Sequence, residues 1–218
     1  MRFKNIIFDF DGMLVDSRPG IVIAFKKAVK KLTKKETNEK QIVQLIGSPL
    51  VQVLEALLGT TDQQIIDRGS ALFKKYYSEE GIYHNNIYPE IESLLIWLKK
   101  SHSLFIVSNR IETFMDEILK QHDLKKYFIY IKGTDGTDKQ SKKTDYVKYL
   151  MDKYHLKKEE TIIVGDTEND ISAGKANSIY SIGITWGYGS ESDLIKAGAD
   201  TICHTSLELQ QFIEKILI

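Results

Sequence analysis

The chain has 218 residues, 42% of them apolar, enough for one globular core with an inserted subdomain. Lys plus Arg and Asp plus Glu both total 30, so a net charge of zero gives no global pull toward nucleic acid or an anionic membrane. No apolar run reaches the ~18 residues of a membrane span, and a single cysteine, Cys203, excludes an intramolecular disulfide.

The N-terminus, Met1-Arg2-Phe3-Lys4-Asn5, has no long apolar stretch and does not read as a secretory signal. Ile6-Ile7-Phe8 is a short apolar run that suits a strand buried on both faces. It ends in Asp9-Phe10-Asp11-Gly12. Residues i and i+2 of a strand point the same way, so the two carboxylates can face one site. There they repel each other unless a cation or a proton intervenes, and Gly12 lets the chain turn sharply behind them. The stretch reads as a metal–carboxylate site with a candidate nucleophile, against the plainer alternative of an acidic turn after a strand.

Residues 17–86 read as helical throughout. Pro19 to Leu32 forms a helix with proline in its first turn and Ile21, Phe25, Ala28/Val29 and Leu32 at helical spacing. Lys26, Lys27, Lys30 and Lys31 lie mostly off that stripe, on a solvated face. Glu39 to Ile46 follows, with Gly47 as its C-cap. Ser48-Pro49 reads as an N-cap with proline at the first helical position of a helix reaching Leu58 and Gly59. Asp62 caps a fourth helix to about Glu80, with Ile65/Ile66, Ala71/Leu72 and Tyr76 inward. The turn Gly47-Ser48-Pro49-Leu50 is either a plain connection or a substrate contact.

From Tyr88-Pro89 the pattern alternates. Helices are expected over Pro89–Lys100, from Arg110 to about His122, and over Thr144–Tyr154, Ile171–Ala176, Ser192–Ala197 and Leu207–Leu217. Strands are expected over Ser103–Val107, Phe128–Ile131, Thr161–Val164, Tyr180–Ile184 and Thr201–Cys203. Cys203 reads as a packed residue in a reducing, cytoplasmic setting. The alternation predicts an α/β fold, a doubly wound parallel sheet whose strand ends share one edge. At that edge stand Asp9 and Asp11, then Ser108 and Asn109, then the lysine-bearing segment Lys139 to Lys143, then Asp166 and Asp170. Arg110 reads as a surface residue at a helix start in preference to a gate toward the helical block, and Trp186-Gly187-Tyr188-Gly189 as either a flexible loop lining the site or a turn packed on the core. The five histidines show no metal-ligand spacing.

These segments resemble the four motifs of the haloacid dehalogenase superfamily, in order and over nearly the whole chain. Asp9-Phe10-Asp11-Gly12-Met13-Leu14-Val15-Asp16-Ser17 is similar to the first, Ser108-Asn109 to the second, Lys143 with its following Thr-Asp-Tyr-Val to the third, and Gly165-Asp166-Thr167-Glu168-Asn169-Asp170 to the fourth. Within the superfamily the likeness is to phosphoglycolate phosphatases and related small-substrate phosphatases. Asp16-Ser17-Arg18-Pro19-Gly20-Ile21, Ile46-Gly47-Ser48-Pro49-Leu50, Tyr88-Pro89 and Thr185-Trp186-Gly187-Tyr188-Gly189-Ser190 carry it. Met13 departs from the usual threonine, and the proline often found after the lysine is absent.

The resemblance implies a Rossmann-like core over 1–16 and 87–218 and a helical cap over 17–86. It implies a Mg2+-dependent phosphatase acting on a small phosphorylated metabolite, with no nucleic-acid or membrane partner. Asp9 would attack phosphorus and form an aspartyl-phosphate, and Asp11 would protonate the leaving alcohol. Ser108, Asn109 and Lys143 would bind the phosphate, with Lys142 as the alternative lysine. Asp9, Asp166 and the backbone carbonyl of Asp11 would hold Mg2+, with Asp170 acting through water or behind them. Ser108 and Asp170 could instead serve as helix caps. Competing readings are a sugar phosphomutase of the β-phosphoglucomutase type, a nucleotide or pyrophosphate hydrolase, and a catalytically silent phosphate-binding regulator. The intact Asp9 and Asp11 argue against the last.

Overall fold

The computed structural model describes residues 3–136 and 142–217, so Lys139 lies outside the described residues. The strands are β1 (Asn5–Phe8), β2 (Val15–Asp16), β3 (Asn86–Ile87), β4 (Ser103–Ile111), β5 (Tyr130–Thr134), β6 (Thr161–Gly165), β7 (Tyr180–Ile184) and β8 (Thr201–Cys203). The helices are α1 (Arg18–Thr33), α2 (Glu39–Gln44), α3 (Leu50–Leu58), α4 (Gln63–Glu79), α5 (Ile91–Leu98), α6 (Glu112–Gln121), α7 (Lys143–Tyr154), α8 (Glu168–Ala176), α9 (Glu191–Lys196) and α10 (Ser206–Leu217).

Six strands form one parallel sheet in the order β5-β4-β1-β6-β7-β8. Ile6, Phe8, Leu104, Ile106, Ile162 and Val164 turn to one apolar cluster, which also holds Leu94 and Leu98 of α5, Met115 and Ile118 of α6 and Leu209 of α10. Ile7, Phe105, Val107 and Ile163 turn to the other, with Val147 and Leu150 of α7 and Ala173 of α8. The period of two puts alternate residues on opposite faces, and helices cover both, which is why these strands read as unbroken apolar runs. Strand order reverses direction around β1, and in such sheets the crevice beyond the carboxyl ends at the reversal is where ligands bind.

Between β2 and β3 the chain forms a separate block of four helices. Phe25 of α1 stacks against Phe73 of α4 with ring centroids 4.2 Å apart, and Phe73 continues onto Tyr77 at 5.6 Å. Asp62 caps α4 by accepting from the N–H groups of Gln64 and Ile65. The face α4 buries is Ile66, Gly69, Ser70, Phe73 and Tyr77. Ile65 and Ala71, expected inward, are exposed, because the small residues Gly69 and Ser70 are what let α4 lie close to its neighbours.

Several boundaries differ from expectation for identifiable reasons. α2 stops at Gln44 with Leu45 as its C-cap, so Gly47 lies in the turn beyond it. Pro49, not Ser48, is the N-cap of α3. Glu90 has a left-handed backbone (φ 64°), which starts α5 at Ile91 and leaves Pro89 outside it. A 3-10 turn over Lys125–Tyr127 delays β5 to Tyr130. β4 runs on to Ile111, with an irregular register after Val107. β2 and β3, which no periodicity announces, pair antiparallel where the chain leaves the sheet and returns to it. Among the described residues no helix is long and apolar enough to cross a membrane.

Candidate active site

Asp9 follows the last residue of β1 and is still tied to β6, since its N–H donates to the Val164 carbonyl at 2.9 Å. Two residues on, Asp11 faces the same crevice. Between them and β2 the chain turns tightly, with Gly12 N–H on the Val15 carbonyl at 2.9 Å. Gly12 has φ +88°, and a Cβ there would collide with the Asp166 carboxylate, so both its backbone and its neighbour require glycine. Met13 is fully buried in the main apolar cluster, and its carbonyl accepts from the Trp186 indole at 3.1 Å. The methionine at this position is therefore a core residue.

Three carboxylates converge at the strand ends: Asp9, Asp166 after β6 and Asp170 in the first turn of α8, with oxygens within 4.8 Å of one another and all buried. The Lys143 ammonium, at the start of α7, donates to Asp9 Oδ1 and Asp170 Oδ1 at 2.6 Å each. Lys143 is only 4% exposed, whereas Lys142, the alternative lysine, lies exposed at the N-cap of α7. Asp170 Oδ2 accepts from the N–H and hydroxyl of Thr167 at 3.0 and 2.8 Å. It is thus the third helical residue of a capping box, with Thr167 as the N-cap in place of Asp170. Asp166 Oδ2 accepts from the Tyr188 N–H at 2.7 Å, and its Oδ1 is buried without a partner.

Burial pushes the Asp9 carboxyl up to about 7, with the Asp170 charge adding and Lys143 opposing. Burial, and then the charges of Asp9 and Asp170, hold Asp166 well above the usual carboxylate range. Burial works against the Lys143 charge, but Asp170 and Asp9 outweigh it and raise its affinity for its proton. Ionising all three carboxylates against one ammonium would leave two negative charges in a buried place, which is why Asp9 and Asp166 hold their protons so tightly. That charge, an orphaned Asp166 oxygen and an all-oxygen donor set suit one hard divalent cation. Gly187, like Gly12, stands where a Cβ would strike the Asp166 carboxylate, so the backbone keeps this place clear of side chains.

Asp11 is set apart from that cluster. Its Oδ1 accepts from the Ser17 hydroxyl and from Arg110 Nη1, the latter at 2.7 Å. Arg110 was expected on the surface at a helix start. It lies instead within β4, its side chain 6% exposed, with Nη2 on the Tyr77 hydroxyl and its carbon centre 4.6 Å from the centroid of that ring. The extension of β4 past Val107 explains the error: it carries Arg110 into the chamber alongside Ser108. Ser108 is buried, and its Oγ accepts from the Arg110 N–H at 3.3 Å. It caps no helix, since Ile111 is the N-cap of α6. Asn109 donates its amide to the Gly47 carbonyl at 2.9 Å and so joins the sheet edge to the turn between α2 and α3.

Trp186 to Gly189 forms a packed turn. Besides the Asp166 and Met13 contacts, the Tyr188 hydroxyl accepts from Ser17 N–H at 2.9 Å and reaches Asp16 Oδ1 at 3.2 Å. One residue thus links a carboxylate of the cluster to the segment where the chain enters the helical block. Sequence patterning offered no signal for this link, because it depends on a loop meeting residues 171 positions away.

A chamber of about 70 Å³ lies between the sheet edge and the helical block. On this measure a water needs roughly 10–15 Å³, so the chamber holds several waters or a small polar group. Asp9, Asp11, Ser108, Asn109, Arg110 and Lys143 form its floor, and Ile21, Phe25, Leu45, Ile46, Leu50, Val53 and Phe73 its roof. The structure therefore brings Asp9, Asp11, Ser108, Asn109 and Lys143 to one space, with Asp166 and Asp170 behind Asp9 and Lys143.

A parallel sheet with two aspartates after its central strand, and with the serine, lysine and acidic pair at neighbouring strand ends, matches one family. Residues 6–184 fit the model of the haloacid dehalogenase-like hydrolases, and the chain belongs to that family. A phosphoglycolate phosphatase of Vibrio parahaemolyticus is 28% identical, with 96% of each chain covered. A 5'-nucleotidase of Pseudomonas aeruginosa is 26% identical, over 98% of this chain and 97% of that protein. The crystal structure of a predicted phosphatase from Clostridium acetobutylicum superposes with a TM-score of 0.91 at 28% identity, covering 100% of this chain and 99% of that one.

Proposed function

We propose that this hydrolase is a Mg2+-dependent phosphatase of small phosphomonoesters that works through an aspartyl-phosphate on Asp9. The observation that carries the reading is one chamber floored by two carboxylates in different settings. Asp9 is bound to a lysine in a metal-suited cluster, and Asp11 stands apart from it beside Arg110 and Ser17. Phosphoryl transfer needs a nucleophile, neutralising charge and a proton for the leaving oxygen.

A carboxylate oxygen of Asp9 attacks phosphorus while the bond from phosphorus to the alcohol oxygen breaks. Asp11 gives its proton to that oxygen, and the alcohol departs. Asp11, now a carboxylate, takes a proton from water as the water oxygen attacks the phosphorus of the aspartyl-phosphate. Inorganic phosphate leaves and Asp9 is restored. Lys143 and the Ser108 hydroxyl hold the phosphoryl oxygens. Asp9, Asp166 and the Asp11 backbone carbonyl would hold the metal, with Asp170 behind them positioning Lys143. A bound divalent cation neutralises phosphoryl charge. The helical block acts as a cap that excludes bulk water, hinged at β2 and β3.

Hydrolysis of p-nitrophenyl phosphate with and without Mg2+ tests the reading, together with acid trapping of phosphoprotein during turnover. Metal-dependent release of phosphate with a trapped acyl phosphate is expected. Absence of turnover on every phosphomonoester in the presence of Mg2+ rejects it.

A further inference from the structure

The polar and apolar groups of the chamber are segregated. Among the described residues every charged side chain that lines it, Asp9, Asp11, Arg110 and Lys143, belongs to the floor. The roof supplies carbon, and among the described residues Ser48 is its only lining side chain able to hydrogen-bond. Both cations of the floor are already matched. Lys143 lies between Asp9 and Asp170. Arg110 has one terminal nitrogen on Asp11 and the other on the Tyr77 hydroxyl. Its Nε is without a partner, and when Asp11 carries the proton destined for the leaving oxygen, the guanidinium is matched by the phosphoryl group on the same floor.

On the footing of the phosphatase reading, we propose that the chamber selects phosphomonoesters whose alcohol is uncharged and rich in carbon, and rejects those whose alcohol carries a second anion. The floor takes the phosphoryl group, which leaves the roof for the alcohol. An alkyl or aryl alcohol there exchanges water for contact with Phe25, Leu50 and Phe73. A carboxylate in the same place loses its hydration against the same carbon and, among the described residues, meets no free cation. The rejection comes from the unpaired anion, and the preference among neutral alcohols is broad, because apolar pockets separate similar apolar groups weakly.

The test is a matched pair of substrates, 2-phosphoglycolate and isobutyl phosphate, the second placing an isopropyl group where the first has its carboxylate. With Mg2+ present, kcat/KM for isobutyl phosphate should exceed that for 2-phosphoglycolate by at least about tenfold. Equal values, or a preference for 2-phosphoglycolate, overturn the proposal. Leu50→Arg, at the start of α3, adds a cation to the roof and should shift the ratio toward 2-phosphoglycolate by about tenfold or more. Ile46→Lys takes its place should that variant not fold. An unchanged ratio in a folded variant overturns the placement of the alcohol beneath the roof. Hydrolysis of p-nitrophenyl phosphate with neither member of the pair accepted overturns the substrate class alone. Hydrolysis of none of the three overturns the phosphatase reading and the class with it.

Discussion

The floor and the roof of the chamber are built on opposite principles. On the floor each charged group contacts a named partner: Asp11 meets Arg110, and Asp9 meets Lys143, which it shares with Asp170 behind it. Burial makes an unmatched charge costly, so few residue types are tolerated at each of these positions. The roof needs only apolar surface of suitable volume, which many sequences supply equally well. The floor is therefore the constrained half of the chamber, and the roof the permissive one.

Replacing Asp9, the proposed nucleophile, should separate the two regions most sharply. Asp9→Asn keeps the shape and removes the attacking carboxylate, so kcat on an aryl phosphate should fall at least about 10⁴-fold. The protein should remain folded, because the substitution relieves a carboxyl that burial holds up at about 7. Steady-state kinetics and far-UV circular dichroism read the two effects. Turnover near the wild-type rate rejects Asp9 as nucleophile.

Arg110→Met comes next. It leaves Asp11 without its cation at a place where the two side chains are 6% and 11% exposed. Breaking one side of such a pair costs about 3–5 kcal/mol, read by urea denaturation. Loss of less than about 1 kcal/mol, the range of a surface pair, would show that the floor is not charge-matched there.

The carboxylate cluster gives a pH test. The folded Asp9 carboxyl, at about 7 against an ordinary 3.8, holds its proton more tightly than the unfolded chain does. The stability this contributes is full below about pH 4 and is lost as pH rises toward 7. Asp166 acts in the same direction. In metal-free protein, stability between these pH values should therefore decline more steeply in wild type than in Asp166→Asn. Mg2+ needs the ionised carboxylates and should restore the loss, by about 2.7 kcal/mol at 100 times its Kd. A melting temperature at pH 7.5 that ignores Mg2+ would reject the three-carboxylate centre.

The same contrast explains what could be read in advance. Ile6 to Phe8 and Thr161 to Val164 were legible as strands because both faces are covered, and the acidic residues after them because few residue types are tolerated there. Arg110 was not, since its burial follows from β4 running past Val107 through an irregular register that leaves no mark in hydrophobic pattern. β2 and β3 have two residues each, too short for any period. The roof is assembled from four helices, and which of their apolar residues face the chamber depends on how the helices pack. Ile65, placed inward on spacing alone and exposed in the fold, shows how little one helix reveals of that.

The smallest expected effect is also the cleanest check that floor and roof are separable. Asp62 caps α4 through two backbone N–H groups on an exposed turn of the helical block and does not line the chamber. Asp62→Ala should cost about 1 kcal/mol. In a protein of this length that lowers the melting temperature by roughly 2–4 °C. kcat and KM at 25 °C should stay within about twofold of wild type, because more than 99% of a protein with even 5 kcal/mol of stability remains folded after losing 1. A larger drop in kcat with the fold intact would mean that the roof's helices do more than enclose substrate, and that loosening α4 reaches the carboxylates through Tyr77 and Arg110, the contact that joins the two regions.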